Sequence, residues 1–157
     1  MKKWNVVMRG LLLGVFATGV AAVLPAALRA QAAPAITVYK SPTCGCCGKW
    51  VEHAQRAGAK VRVHDISWEQ LDAKLAERRV PKGLESCHVS VVGGYTVVGH
   101  VPMDVVQRML KERPRIAGIA VPGMPMGSPG MEQGMKKDRY EVLSFTADGQ
   151  TRVYDRR

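Results

Sequence analysis

Hydrophobic and polar positions alternate along the chain in short blocks that change period from two to 3.6 and back. Ile36-Thr37-Val38-Tyr39 is a short β-prone run, stopped by Ser41-Pro42-Thr43. Thr43 is a plausible N-cap, and the spacing predicts a helix from Cys44 to about Ala57. Cys47, Val51, Ala54 and Gly58 share one face of it, Glu52 and Arg56 form an i,i+4 pair, and Gly58 marks its end. Lys60 to Ile66 predicts a second strand, in which Val61 and Val63 alternate with Arg62 and His64 as an edge strand would. Ser67 caps a second helix with Trp68, Leu71 and Leu75 as its apolar stripe, closed off by Pro81 and Gly83. Val89 to Val92 and Tyr95 to Val98 are two strands, joined by Gly93-Gly94 as a type I′ hairpin. Pro102 starts a third helix that buries Val105, Val106, Met109 and Leu110 and stops at Pro114; Met103 and Met109 are assigned to the core.

The predicted order is β-α-β-α-β-β-α. It implies an α/β, thioredoxin-like fold with a mixed four-stranded sheet and a Cys-x-x-Cys between the first strand and the first helix. Beyond the third helix, the Pro-, Gly- and Met-rich segment from Val121 to Met131 suits neither helix nor ladder. Tyr140 to Phe145 and Thr151 to Tyr154, alternating around Asp148-Gly149, predict a closing hairpin. One domain, 33–157, is expected, with 114–157 as its Met-rich loop and hairpin.

Residues 1–32 follow another pattern. Lys2, Lys3 and Arg9 form a basic start, Leu11 to Leu24 carries no charge, and Ala30-Gln31-Ala32 is an A-x-A site. A cleaved signal peptide is expected rather than a membrane anchor, since the apolar run falls short of the roughly 20 residues that span a bilayer. The chain has 157 residues and a formal charge of +10. Without the leader it carries 19 Lys and Arg against 13 Asp and Glu, a net +6. That charge is modest and lacks an aromatic-flanked basic patch, which argues against nucleic-acid binding. The expected location is the periplasm, an oxidising compartment without ATP or NAD pools, where thiols meet disulfide chemistry or metal ions.

The chemistry concentrates in sulfur. Thr43-Cys44-Gly45-Cys46-Cys47-Gly48 places three thiols in four positions at a helix start, where backbone N–H groups and the helix dipole favour thiolates. Cys44 and Cys47, as N1 and N4, can face one point, whereas Cys46 is expected to point elsewhere unless the first turn is distorted. Thiolates bind Cu(I), Zn(II) and other soft ions. Cys87-His88 precedes the hairpin strand, where redox proteins of the thioredoxin type carry a cis-proline; this chain has none there. That ranks metal binding above dithiol exchange. Met124, Met126 and Met131 lie on the Pro/Gly loop: thioethers prefer Cu(I) to Zn(II), and a loop methionine can equally be packing filler. His100 reads as a structural helix-start histidine, and His53 and His64 as solvent-face residues. No paired carboxylates, H-E-x-x-H, G-x-S-x-G or phosphate loop is present.

Ser41-Pro42-Thr43-Cys44-Gly45-Cys46-Cys47, Trp50, Ser86-Cys87-His88, Gly99-His100-Val101-Pro102, Val121-Pro122-Gly123-Met124-Pro125 and Ser128-Pro129-Gly130-Met131-Glu132 together resemble a bacterial family, domain of unknown function 411. Its members are often labelled metal-binding or copper-resistance proteins. The resemblance runs over about residues 35 to 155 and implies an exported, thioredoxin-like protein that handles copper. The expected function is a periplasmic Cu(I)-binding chaperone or sequestering factor in metal tolerance, without catalytic turnover. Its site is expected at Cys44, Cys47 and Cys87, with His88, Met124 or Met126 completing or covering it and Cys46 beside Cys47 or replacing it. Expected partners are copper ion and another periplasmic copper-handling protein, with no nucleic acid and no stable membrane anchor. The alternatives are a thiol–disulfide oxidoreductase using Cys44–Cys47 and a secreted domain with two structural disulfides.

Overall fold

The structure, a computed structural model, describes residues 33–132, 134 and 137–157; the expected leader lies outside the described residues. The elements run β1 (Ala35–Lys40), α1 (Gly45–Arg56), β2 (Lys60–Asp65), α2 (Trp68–Glu77), β3 (His88–Val92), β4 (Tyr95–Val98), α3 (Met103–Glu112), β5 (Gly118–Ala120), β6 (Glu141–Phe145) and β7 (Thr151–Arg156). The strands form one mixed sheet in the order β2-β1-β3-β4-β5-β6-β7. β1 pairs with β2 and β4 with β5 in parallel, and the remaining neighbours are antiparallel. None of the described helices is long and apolar enough to cross a membrane.

The sheet has seven strands, not the expected four. The four expected strands are present as neighbours, and the closing hairpin extends their sheet through β5. Gly118–Ala120 carries no alternation in the sequence because both of its faces are covered. Ile119 joins the core on one face, with Ile36, Val38, Val97, Trp50 and Ala54 of α1 and Val106 and Met109 of α3. Ala120 joins the core on the other, with Val89, Val98, Phe145 and Leu71 and Leu75 of α2. The sheet is therefore a middle layer between α1 and α3 on one side and α2 on the other.

Local chemistry explains most boundaries. Ser67 and Gln70 make a full capping box at the start of α2, leaving Trp68 just inside the helix and 52% exposed rather than in the apolar stripe. Gly93 and Gly94 both have positive φ, as a type I′ turn requires. Pro102 is the N-cap of α3 and lacks a side-chain oxygen to bond the next N–H groups. His53 fills that gap: its Nε2 accepts from the Met103 N–H at 3.2 Å, so it is a half-buried helix cap and not a solvent-face residue. His64 is exposed on the edge strand β2 and stacks on Tyr39.

Candidate metal centre

The parallel strands β1, β4 and β5 end on the same edge of the sheet, the position at which α/β sheets place their sites. The chain leaves β1 through Ser41–Thr43 and turns into α1. The cap is Cys44, not Thr43: Cys44 is extended, its N–H bonds to the Ser41 carbonyl at 3.1 Å, and its side chain caps nothing. Cys44 is therefore one position earlier than expected. Its extended backbone swings the thiol over the first turn, and Cys46 Sγ lies 3.6 Å from Cys44 Sγ. Cys46 thus belongs to the cluster rather than pointing away. No acidic residue occupies the first turn, so no side chain of α1 itself offsets the positive end of the helix dipole beneath the sulfurs.

The antiparallel register of β1 and β3 sets Lys40 opposite His88 and brings Cys87 beside the helix start. Cys47 Sγ, fully buried, lies 3.4 Å from the Cys87 carbonyl oxygen. The sulfurs of Cys44, Cys46, Cys47 and Cys87 all lie within 4.8 Å of one another. Cys44 and Cys47 are joined as a disulfide with Cα atoms 5.3 Å apart, while Cys46 and Cys87 are free.

A second group of donors shares Cys87 with the first: Cys87, His88 and His100 also fall within 4.8 Å. His88 Nδ1 is 3.6 Å and His100 Nε2 3.2 Å from Cys87 Sγ. Both rings are buried; His88 packs on Trp50 with centroids 4.8 Å apart and meets His100 edge-on at 5.1 Å. Trp50 in turn donates Nε1–H to the Val101 carbonyl at 2.8 Å, tying α1 to the loop that carries His100. His88 Nε2 has no hydrogen-bond partner.

Burial pushes the Cys87 thiol up to about 12, helped by the nearby Cys46 sulfur. It pushes His88 down to about 3, with the neighbouring His100 acting in the same direction. His100 is lowered by burial, against the bond to Pro129 that favours its charged form. Burial keeps the two imidazoles neutral, the form in which a ring nitrogen binds a metal, whereas Cys87 must ionise, a cost that a soft cation repays directly. The donor set of four sulfurs and two imidazole nitrogens suits such an ion, and a buried imidazole nitrogen without a partner is an opening for one.

The Met-rich loop touches the site with its second half. His100 Nδ1 donates to the Pro129 carbonyl at 2.7 Å. Gly130 lies flat on the first turn of α1, where a Cβ would stand 2.7 Å from the Cys46 carbonyl oxygen. The first half stands off: Met124 is 44% exposed, and Met126 is held through its backbone by Asp138. His100 was read from sequence as a structural residue, and hairpin arithmetic would have found it. Val89 pairs with Val98, and two steps further out the same register sets 87 against 100.

The profile of the family described as "Protein of unknown function, DUF411" matches residues 84–131. Two solved structures are similar to this chain. Form 2 of copper resistance protein CopG is 38% identical, with a TM-score of 0.74, covering 80% of this chain and 98% of that one. Form 1 of the same protein is 40% identical, with a TM-score of 0.73, covering 78% of this chain and 96% of that one. No curated protein matches the chain.

Proposed function

The chain belongs to the DUF411 family of copper-resistance proteins, and from that premise we propose that it is an exported Cu(I)-binding protein of the periplasm, a chaperone or sequestering factor without turnover. The observation that carries the proposal is the placement of four cysteine sulfurs within 4.8 Å of one another at a helix start whose own first turn carries no acid. The first half of the chain, β1 to α3, reads as a thioredoxin-like unit: its element order and its β2-β1-β3-β4 strand order support that reading.

Copper is cargo here. The positive end of a helix favours anionic groups such as thiolates, and a cation within the cluster lowers the cost of ionising Cys87. The thiolates share a soft ion that prefers sulfur to the hard oxygen of water. Loading at Cys44 and Cys47 requires the disulfide to be reduced to two thiols, so the cargo competes with oxidation for the same sulfurs. The test is anaerobic Cu(I) titration of the reduced protein against a competing chelator. Stoichiometric binding that holds against the chelator supports the proposal; failure to compete overturns it.

The Cys44–Cys47 disulfide favours a second reading, periplasmic thiol–disulfide exchange. Against it, the described residues contain no cis peptide bond, and Ser86-Cys87-His88 stands where such proteins place a cis-proline. Insulin reduction close to background favours copper binding; turnover comparable to a dedicated thioredoxin favours exchange.

A further inference from the structure

We propose that His100 is a copper ligand through Nε2, and that the strap Ser128–Glu132 positions it by holding its other nitrogen on the Pro129 carbonyl. The inference rests on the Cu(I) reading above and names a ligand and a positioning element within that site.

A carbonyl oxygen only accepts, so the 2.7 Å contact to Pro129 requires a hydrogen on His100 Nδ1. The nitrogen left to face Cys87 Sγ, at 3.2 Å, is Nε2. This is the arrangement by which metal-binding histidines are oriented: one nitrogen toward the ion, the other donating to a carbonyl or carboxylate that fixes the tautomer. His88 lacks it. Its Nδ1 lies 3.6 Å from the same sulfur, and its Nε2 bonds to nothing.

The strap is built to hold its carbonyl still. Ser128 and Pro129 are buried, Ser128 Oγ donates to the Pro125 carbonyl at 2.7 Å, and the Met131 N–H returns to the Ser128 carbonyl at 2.8 Å. Gly130 donates its N–H to Glu132 Oε2 at 2.7 Å. Its φ is +87°, and a Cβ there would meet the Cys46 carbonyl oxygen at 2.7 Å and the Trp50 nitrogen at 2.9 Å. Backbone on both sides leaves little room to yield. The strap therefore rests on the turn that carries Cys46 and reaches across to the ring that faces Cys87, joining the two halves of the sulfur cluster.

The test uses the reduced protein, metal-free and then loaded with Cu(I). Long-range 1H–15N correlation of the metal-free protein should show His100 protonated at Nδ1. X-ray absorption of the Cu(I) form should show a Cu–N component beside Cu–S. His100→Asn places a side-chain N–H where Nδ1 was and nothing where Nε2 was. It should stay folded with a melting temperature lowered by only about 5 °C, lose the Cu–N component and weaken Cu(I) binding about 10- to 100-fold. Gly130→Ala should leave the ring present but release it, giving a mixture of tautomers and about tenfold weaker binding. An Nε2-protonated His100 in the wild type, or a His100→Asn protein that keeps the Cu–N component and wild-type affinity, overturns the inference while leaving the Cu(I) reading intact. A wild-type protein that binds no Cu(I) overturns both.

Discussion

Replacing Trp50 by Phe tests whether the floor of the site is held as described. Trp50 is wholly buried, and its indole N–H donates to the Val101 carbonyl at 2.8 Å. Phenylalanine keeps an aromatic ring but removes that donor, leaving a buried carbonyl unsatisfied at a cost of about 1–3 kcal/mol. The missing part of the indole leaves a void. Full truncation of a buried Trp costs about 3–5 kcal/mol, so partial loss adds about 1 kcal/mol. The expected destabilisation is about 2–4 kcal/mol, which in a domain of this size lowers the melting temperature by about 10 °C. Urea unfolding of the reduced, metal-free protein measures it. Trp68→Phe is the control: that ring is 52% exposed, and the change should stay within about 0.5 kcal/mol. Because Val101 follows His100, the Trp50→Phe protein should also bind Cu(I) more weakly. A loss below about 1 kcal/mol, or equal losses at the two tryptophans, would refute the assignment of Trp50 as the tie between α1 and the His100 loop.

Four further outcomes follow from the site and its caps. Cys87→Ser should weaken Cu(I) binding at least about tenfold, equivalent to about 1.4 kcal/mol, in chelator competition. Cys46→Ser should also weaken it, because that sulfur lies 3.6 Å from Cys44 Sγ; wild-type affinity in either variant would remove that sulfur from the site. The metal-free, reduced protein should lose stability as the pH falls below about 6.5, since burial holds His53, His88 and His100 below an ordinary histidine and the unfolded chain takes up the protons. A urea midpoint that holds or rises between pH 7 and pH 5 would contradict that sign. Ser67→Ala removes the capping box of α2 and should cost about 1 kcal/mol without altering copper affinity, by urea unfolding and chelator competition on one preparation.

Much of the fold is legible in the sequence where a single face decides a position. Leu71 and Leu75, Val105 and Val106, and the Gly93-Gly94 turn each announce their element by local period or turn chemistry. β5 is not legible, because Gly118, Ile119 and Ala120 are buried on both faces and are too short to show a period. Trp68 misleads because helical spacing alone does not say where an apolar stripe ends; its place at the first turn leaves it in solvent. At the site, Cys44, Cys47, Cys87 and His88 are visible as residue types at suggestive spacing. Cys46 and His100 depend on backbone geometry, one on an extended cap and the other on a strand register, and neither is stated by composition.

The Gly93-Gly94 turn lies at the opposite end of β3 and β4 from the cysteines, and it acts as their ruler. Side chains on paired strands change face with every residue, so one residue inserted in that turn would set Gly99 or Val101 where His100 meets Cys87. The loops at the cysteine end sit outside the ladder and can vary in length without moving that pairing. Among descendants of this sequence, length changes should therefore accumulate in the Val121–Gly127 segment and be excluded from the distant two-residue turn. Selection for copper handling would then be felt as a constraint on a solvent-exposed surface that no copper ion touches.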